Sequence, residues 1–406
     1  VYPDDPDFDI NKARLFTTVP RICVRYECVP MRFIKHVYKI HTYTQEGRLF
    51  EGKTPASAFL NSSYDGSFIA GLMELRYIQS LPVERIINYF ESHGFTLKKP
   101  TAHKLIEKAS SLFENLYKCI RQTALSDPYK AADETYYKIL VPEKNSKGKG
   151  VRKGYLWVVV GINTRMIYLL YDDGSRSERV ILNELGSCKG IIQSDGYSPY
   201  RKLESDAYPH ITRIPCLQHI KRKFIDCGEK DPDAKRIVEL INALYQNEHK
   251  HKVGVEGWTV EQNLMHRKKY APDILGEIKD VLDEIEERGD LLPKSELQEA
   301  ITYLRNEWNA VVDIFNYGDT YLDNNMVERM NRYISLSRKN SLFFGSHKGA
   351  ERGAILYTIA LTCRMHKVNL FEYLTDVINR TAEWQPNTPI EKYRELLPDR
   401  WEKAND

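Results

Sequence analysis

The stretch "AADETYYKIL", residues 131–140, decides how the rest of the chain is read. Its tyrosines, Thr135 and Ile139 predict a strand, and two acids, Asp133 and Glu134, stand at its mouth. Successive strand side chains point to opposite faces, so only one of the two carboxylates can serve a shared site. That one needs partners from elsewhere in the chain.

Working outward, residues 133–142 and 155–171 read as strands, joined by the basic loop "EKNSKGKGVRKG". "YLWVVVGINTRMIYLLYDDG" holds two β-rich runs around a Gly161–Ile162–Asn163–Thr164 turn, which predicts a hairpin. "ERVILNELGS" predicts a short helix, "GIIQSD" a buried strand ending at Asp195, and "ITRIPC" another strand. Strand–strand–strand–helix–strand–helix–strand implies a mixed sheet. Past Cys216 the pattern is helical for about a hundred residues. Apolar stripes recur at Ile237, Leu240, Ile241 and Leu244, at Ile274, Leu275, Ile278, Val281, Leu282 and Ile285, and at Leu297, Ile301, Leu304, Trp308, Val311 and Phe315.

Upstream, residues 1–60 give no assignable element, and helical spacing begins at Ser67. Pro82 opens "PVERIINYFESHGF" and Gly94 lies near its stop, while Thr101 is placed to cap "TAHKLIEKASSLFENLYKCI". Two short helices about a glycine-containing turn, the second opening on Lys98, Lys99, Thr101, His103 and Lys104, resemble a DNA-binding helix-turn-helix.

Of the 406 residues, 42% are hydrophobic and 28% charged, as in an ordinary soluble protein. The formal charge of +3 conceals local asymmetry. Residues 321–367 carry eight Lys or Arg against three acids, and residues 273–299 carry three against ten. The basic block suits a polyanionic partner. No apolar run reaches the ~18–20 residues of a membrane span and no secretory signal opens the chain, so no membrane partner is expected. The first residue is Val, as a trimmed N-terminus would leave. Seven scattered cysteines point to a reducing cytoplasm. Cys23, Cys28, His36 and His41 have a spacing that fits no common zinc finger, and zinc is not expected there.

Asp195 ends an apolar strand just before Gly196, where active-site acids emerge in open sheets. A third acid comes late, in "YLDNNMVERMNRYISLSRKNSLFFGS", which reads as a helix capped by Asp323 or Asn324 with Val327, Met330 and Ile334 buried. Glu328 lies beside that stripe, sharing a face with Asn324, Asn331 and Arg332. Three converging carboxylates repel unless a cation sits between them. Two Mg²⁺ ions would neutralise them and could hold the attacking and leaving oxygens of a phosphodiester.

Here the residues meet a family. Asp133 in "ADET", Asp195 in "SDGYSPY" and Glu328 in "DNNMVERMNRYISLSRKNSLFFGS" resemble the DDE triad of the insertion-sequence 66 family of bacterial transposases. "CLQHIKRKF" is similar to the family's stretch at Cys216, His219, Arg222 and Phe224. "INALYQNE" and "ELLPDRW" also resemble family segments, and the likeness runs from about residue 65 to 401. It implies an α/β fold with an RNase H-like mixed-sheet core interrupted by an all-α insertion and preceded by a helical helix-turn-helix region.

The corresponding division is residues 1–64 (irregular, a degenerate or lost zinc ribbon), 65–125 (helix-turn-helix), 126–215 (first part of the core), 216–320 (insertion), 321–375 (second part, with Glu328) and 376–406 (tail). The resemblance also implies roles. Asp133, Asp195 and Glu328 would hold two Mg²⁺ or Mn²⁺ ions for nicking a transposon end and joining its 3′-hydroxyl to target DNA. Glu134 would be structural, His219 an accessory group, and Arg332, Arg338, Lys339 and Asn340 DNA contacts beside Lys98, Lys99, His103 and Lys104. A homo-oligomer on paired ends, accessory proteins of the same element and a place at the bacterial nucleoid follow as expectations.

Two departures stand out. The N-terminal region lacks the family's paired cysteines, and Leu217 and Gln218 replace the usual Trp-Ala. One competing reading is a decayed or co-opted DNA-binding remnant. A glycosidase with paired carboxylates is another, against which the basic segment around Glu328 argues.

Overall fold

The computed structural model describes residues 12, 31–46, 48–52, 57–59, 62–144, 148, 150–228, 231–255, 257–382, 384–385 and 387–403. Cys23 and Cys28 lie outside the described residues. A two-stranded antiparallel ribbon, β1 (Thr42–Gln45) and β2 (Arg48–Glu51), precedes the helices α1 (Gly66–Met73), α2 (Val83–Ser92), α3 (Lys99–Leu112) and α4 (Glu114–Ser126). The long pattern expected from Ser67 is one α-helix followed by a π-helical turn, Glu74–Ile78. The run "TAHKLIEKASSLFENLYKCI" is two helices rather than one, because the chain breaks at Phe113, whose ring is fully buried. Gly94, at φ +81°, carries the chain out of α2 through a backbone region that L side chains rarely adopt.

The sheet is mixed and six-stranded. Its strands are β3 (Tyr129–Leu140), β4 (Val151–Gly161), β5 (Ile167–Tyr171), β6 (Gly190–Ser194), β7 (Ile211–Pro215) and the short β8 (Phe343–Phe344). Helices α5 (Glu178–Leu185) and α6 (Ser198–Arg201) connect β5 to β6 and β6 to β7. The spatial order is β5-β4-β3-β6-β7, with β3, β4 and β5 antiparallel and β6 and β7 parallel to β3. Trp157, Val158, Val159 and Val160 are buried in β4, as a central strand covered on both faces requires.

Helices α7 (Leu217–Asp226), α8 (Pro232–Asn247), α9 (Val260–Arg288) and α10 (Glu296–Ile314) follow, then α11 (Asn325–Asn340), β8, α12 (His347–Met365), α13 (Leu370–Thr381) and α14 (Ile390–Arg394). The three apolar stripes are buried, with Leu240, Ile274, Leu297 and Trp308 only half so. Helix α12 covers the outer strand β5. Thr358 Oγ1 accepts from Leu169 N at 3.0 Å, and Thr362 Oγ1 both accepts from and donates to the Ile167 backbone. Two hydroxyls one helical turn apart thus satisfy an edge that would otherwise be open to pairing.

Central strand β3 has a gap along its β6 side. It pairs with β6 only through Ala131 and with β8 only from Lys138. Backbone groups cannot be buried unpaired, and α11 fills the breach with side chains. Asn324 Nδ2 donates to Ala132 O at 3.1 Å, and the Arg338 guanidinium donates to Tyr136 O while lying 3.9 Å from the Tyr136 ring centre. The candidate site opens in this gap.

The approach to α11 is held just as closely. Buried Arg267 on α9 donates to Ile314 O at 3.1 Å, to Thr320 O at 2.7 Å and to Glu248 Oε2 at 2.7 Å. Gln193 Nε2 then donates to Tyr321 O at 2.9 Å and Leu217 N to Leu322 O at 2.9 Å. Four helices therefore intervene in the chain without loosening the return to the sheet. No helix is long and apolar enough to cross a membrane, among the described residues.

Candidate active site

Asp133 and Asp195 come from neighbouring parallel strands. The register ends with Ala131 opposite Gln193, and each acid lies two residues beyond that last pair, Asp195 close enough to push the Asp133 carboxyl up. Asp133 Oδ1 accepts from Glu134 N at 2.8 Å, and Oδ2 accepts from Asn331 Nδ2 at 2.5 Å. Asn331 lies one turn beyond Glu328 on α11, so this bond ties that helix to β3, while the contacts of Glu328 itself are with His219 and Cys216. Glu134 leaves by the other face, where Arg176 Nε donates to its carboxylate at 3.0 Å and Tyr200 Oη at 3.4 Å.

The end of β6 is rigidly set. Buried Arg213 donates to Asp195 O at 2.8 Å and to Ser194 Oγ at 3.0 Å, and pairs with Glu204 and the buried Glu307. Asp195 Oδ1 accepts from Tyr197 N at 3.1 Å, and Tyr303 Oη accepts from Gly196 N at 2.8 Å. A Cβ at Gly196 would come within 2.6 Å of the Tyr303 ring, so the close approach requires glycine. Tyr303→Phe leaves that amide without its partner and should cost about 1–2 kcal/mol in urea denaturation. Unchanged stability would show that the clamp does not matter.

His219 on α7 bridges the two halves. Its Nδ1 is 3.6 Å from Glu328 Oε1, and the Cys216 thiol is 4.0 Å from the same oxygen. Together Cys216, His219 and Glu328 offer three donor atoms within 4.8 Å of one another. Burial pushes the Cys216 thiol up to about 12, which keeps it a neutral neighbour at physiological pH. His219 also lines a hollow of about 270 Å³ with Asp195, Arg176, Tyr197, Arg222 and Lys223.

This constellation is short of cations. Among the described residues no Lys or Arg forms an ion pair with Asp133 or Asp195, and His219 alone approaches Glu328. Burial, then Glu134, then Asp195 push the Asp133 carboxyl up to about 8. Asn324 Oδ1, Asn331 Oδ1 and His219 Nδ1 are buried without a hydrogen-bond partner. Unneutralised acids beside unpartnered acceptors make a donor set that fits a divalent cation, with the oxygens suited to Mg²⁺.

The expected DNA contacts divide. Arg332 and Lys339 are exposed on α11. Arg338 instead seals the β3 gap, and Asn340 Nδ2 donates to Ser80 O at 3.2 Å, so both serve the fold. Lys98 precedes α3 and is exposed, Lys99 pairs with Glu84 of α2, and His103 and Lys104 face a second hollow. Sequence reasoning assigned no site role to Arg176, Arg222 or Lys223, the three cations around Asp195. The helical spacing of His219, Arg222 and Lys223 was the signal available for two of them.

Fold and site together define a mixed α/β protein in which Asp133 and Asp195 lie near one another, Glu328 lies beside Cys216 and His219, and basic side chains surround Asp195. The chain belongs to the Transposase IS66 family, which it matches over residues 61–352, and its function is transposase-related. The match ends short of "ELLPDRW". The chain is 25% identical over 370 residues to "Uncharacterized protein y4jD" of Sinorhizobium fredii (strain NBRC 101917 / NGR234), covering 88% of this chain and 70% of that one. It is 24% identical over 404 residues to "Uncharacterized protein y4hP" of the same strain, covering 93% and 70%.

Proposed function

We propose that the protein is a DDE transposase with an RNase H-like core that cuts and joins DNA ends through Asp133, Asp195 and Glu328. The observation that supports this reading is that Asp133 and Asp195 lie near one another where the β3–β6 ladder ends, with the Asn331–Asp133 bond tying the helix that carries Glu328 to the same strand. A mixed sheet interrupted between its second acid and its third by four helices supports the same fold.

Asp133, Asp195 and Glu328 would hold two divalent ions. When bound, these would supply charge neutralisation for the attacking and leaving oxygens of a phosphodiester. The chain's own groups do the rest. Asn331 orients the Asp133 carboxylate, and Arg213 and Tyr303 fix the backbone from which Asp195 projects. His219 stands where it can take or return a proton beside Glu328. Arg222 and Lys223, in the hollow with Asp195, attract and orient the phosphate backbone. Arg332, Lys339 and Lys98 extend that contact outward, and α2 with α3 forms a helix-turn-helix that grips the end sequence. Working as an oligomer, two copies would hold paired ends.

The test gives purified protein an end-labelled transposon-end duplex in Mg²⁺, Mn²⁺ or EDTA. Nicking and joining that appear only with metal support the transposase. Tight binding without cleavage in either metal would overturn it in favour of a DNA-binding remnant.

A further inference from the structure

Arg76 is a buried cation with no acid paired to it among the described residues. It sits in the π-helical turn after α1, is 7% exposed, and its Nη1 has no hydrogen-bond partner. Among the described residues no carboxylate pairs with it, and the ionisable groups around it are the phenols of Tyr77, Tyr137 and Tyr357. A buried charge with a free donor is costly unless something negative meets it.

Arg76 lines an open hollow of about 370 Å³. The opposite wall is α3, which contributes the exposed His103 and Lys104. Gly345 and Gly349 bring in the N-terminal turn of the 19-residue helix α12. That turn contains no acid, and Ser346 Oγ occupies only the Gly349 amide, at 3.1 Å. The helix dipole and the amides left over favour an anion. Arg352 completes the rim and is paired with Glu107, the one acid present. Three cations (Arg76, Lys104 and Arg352), His103, whose partial burial beside Lys99 and Arg76 keeps it neutral, and a helix N-terminus thus surround a space whose one carboxylate among the described residues, Glu107, is already matched.

We propose that this hollow binds one phosphate group of a DNA backbone, with the Arg76 guanidinium as its buried anchor. The assignment rests on the DNA-binding reading above and deepens it, since it adds a gripping point shared by the helical region and the core. Tyr137, beside Arg76, lies four residues along β3 from Asp133, about 13 Å. A phosphate there falls about four base pairs from one at the acids, at 3.4 Å per step. The proposal places both phosphates on one duplex.

The test measures binding of a fluorescein-labelled 24-base-pair duplex by the full chain, in EDTA, so that the outcome is independent of cleavage. Arg76→Met keeps the side chain's length and apolar stem. It should weaken binding by roughly five- to tenfold at about 100 mM salt and reduce the slope of log K against log salt by about one. In parallel, orthophosphate should raise the melting temperature of the wild type and not of Arg76→Met. Equal slopes and equal phosphate effects in the two proteins overturn the proposal. A phosphate effect lost in the variant while duplex binding is unchanged overturns the DNA backbone as occupant. Should Arg76→Met fail to fold, the exposed Lys104→Gln must lower the slope by about one, and an unchanged slope overturns the site. Asp195→Asn should bind the duplex in EDTA at least as tightly as wild type, so loss of catalysis and loss of this site are separately visible.

Discussion

Asp195→Asn is expected to lower metal-dependent nicking by at least about a thousandfold, some 4 kcal/mol of barrier. The amide has nearly the carboxylate's shape, and its oxygen can still accept from Tyr197 N, so the turn after β6 survives. Arg213 and Tyr303 grip the backbone at this point and do not touch the altered group. No Lys or Arg pairs with the Asp195 side chain among the described residues, so neutralising it strands no partner. What is lost is one negative charge where divalent ions would be held. The measurement is single-turnover cleavage of an end-labelled duplex across a Mg²⁺ titration, beside thermal melting. A variant within tenfold of wild type at every Mg²⁺ concentration, and equally folded, would remove Asp195 from the chemistry. Arg222→Gln is expected to act differently, weakening DNA binding with little change in the saturated rate, because its charge would meet a phosphate and not the reacting atoms.

The chain order of the first five strands was legible because each run is β-rich and closed by turn residues, and the sheet is mixed as expected, with the two-residue β8 as a sixth strand that the sequence did not suggest. Period alone did not reveal that two helical runs are broken. The π-helical turn at Glu74–Ile78 and the break at Phe113 come from tertiary packing, which overrides local pattern. At the site, "ADET" and "SDGY" read as two acids at strand ends, yet Asp133 lies inside β3, which begins at Tyr129, and nothing local says that the pairing with β6 stops two residues short of both acids. Nor does "SRKN" disclose that Arg338 seals an unpaired carbonyl of β3 while Lys339 faces solvent. Such roles depend on backbone gaps that exist only once the sheet is assembled. Arg76 was invisible for the same reason. In sequence it is one arginine in an apolar helix, and its lack of an acid is a property of the folded surroundings.

Asp133→Asn should make the metal-free protein more stable near neutral pH. Burial, Glu134 and Asp195 raise the folded-state carboxyl to about 8, against an ordinary value near 3.8. Between those values the folded chain retains a proton that the unfolded chain has released. Folding stability therefore falls as pH rises from about 4 to about 8 and levels off above. The asparagine has no such proton to lose. Its oxygen can replace the acceptor for Glu134 N, and a flip of the Asn331 amide would bring that residue's unpartnered Oδ1 to the new amide hydrogens. With allowance for partial exposure, the gain should be about 2 kcal/mol at pH 7.5 and should vanish toward pH 4. Urea denaturation in EDTA at several pH values measures it. Adding Mg²⁺ should stabilise the wild type and narrow or reverse the difference, because ions bound by Asp133 favour the ionised folded state. A variant no more stable than wild type at pH 7.5 in EDTA would show that the acids are not held against their own repulsion.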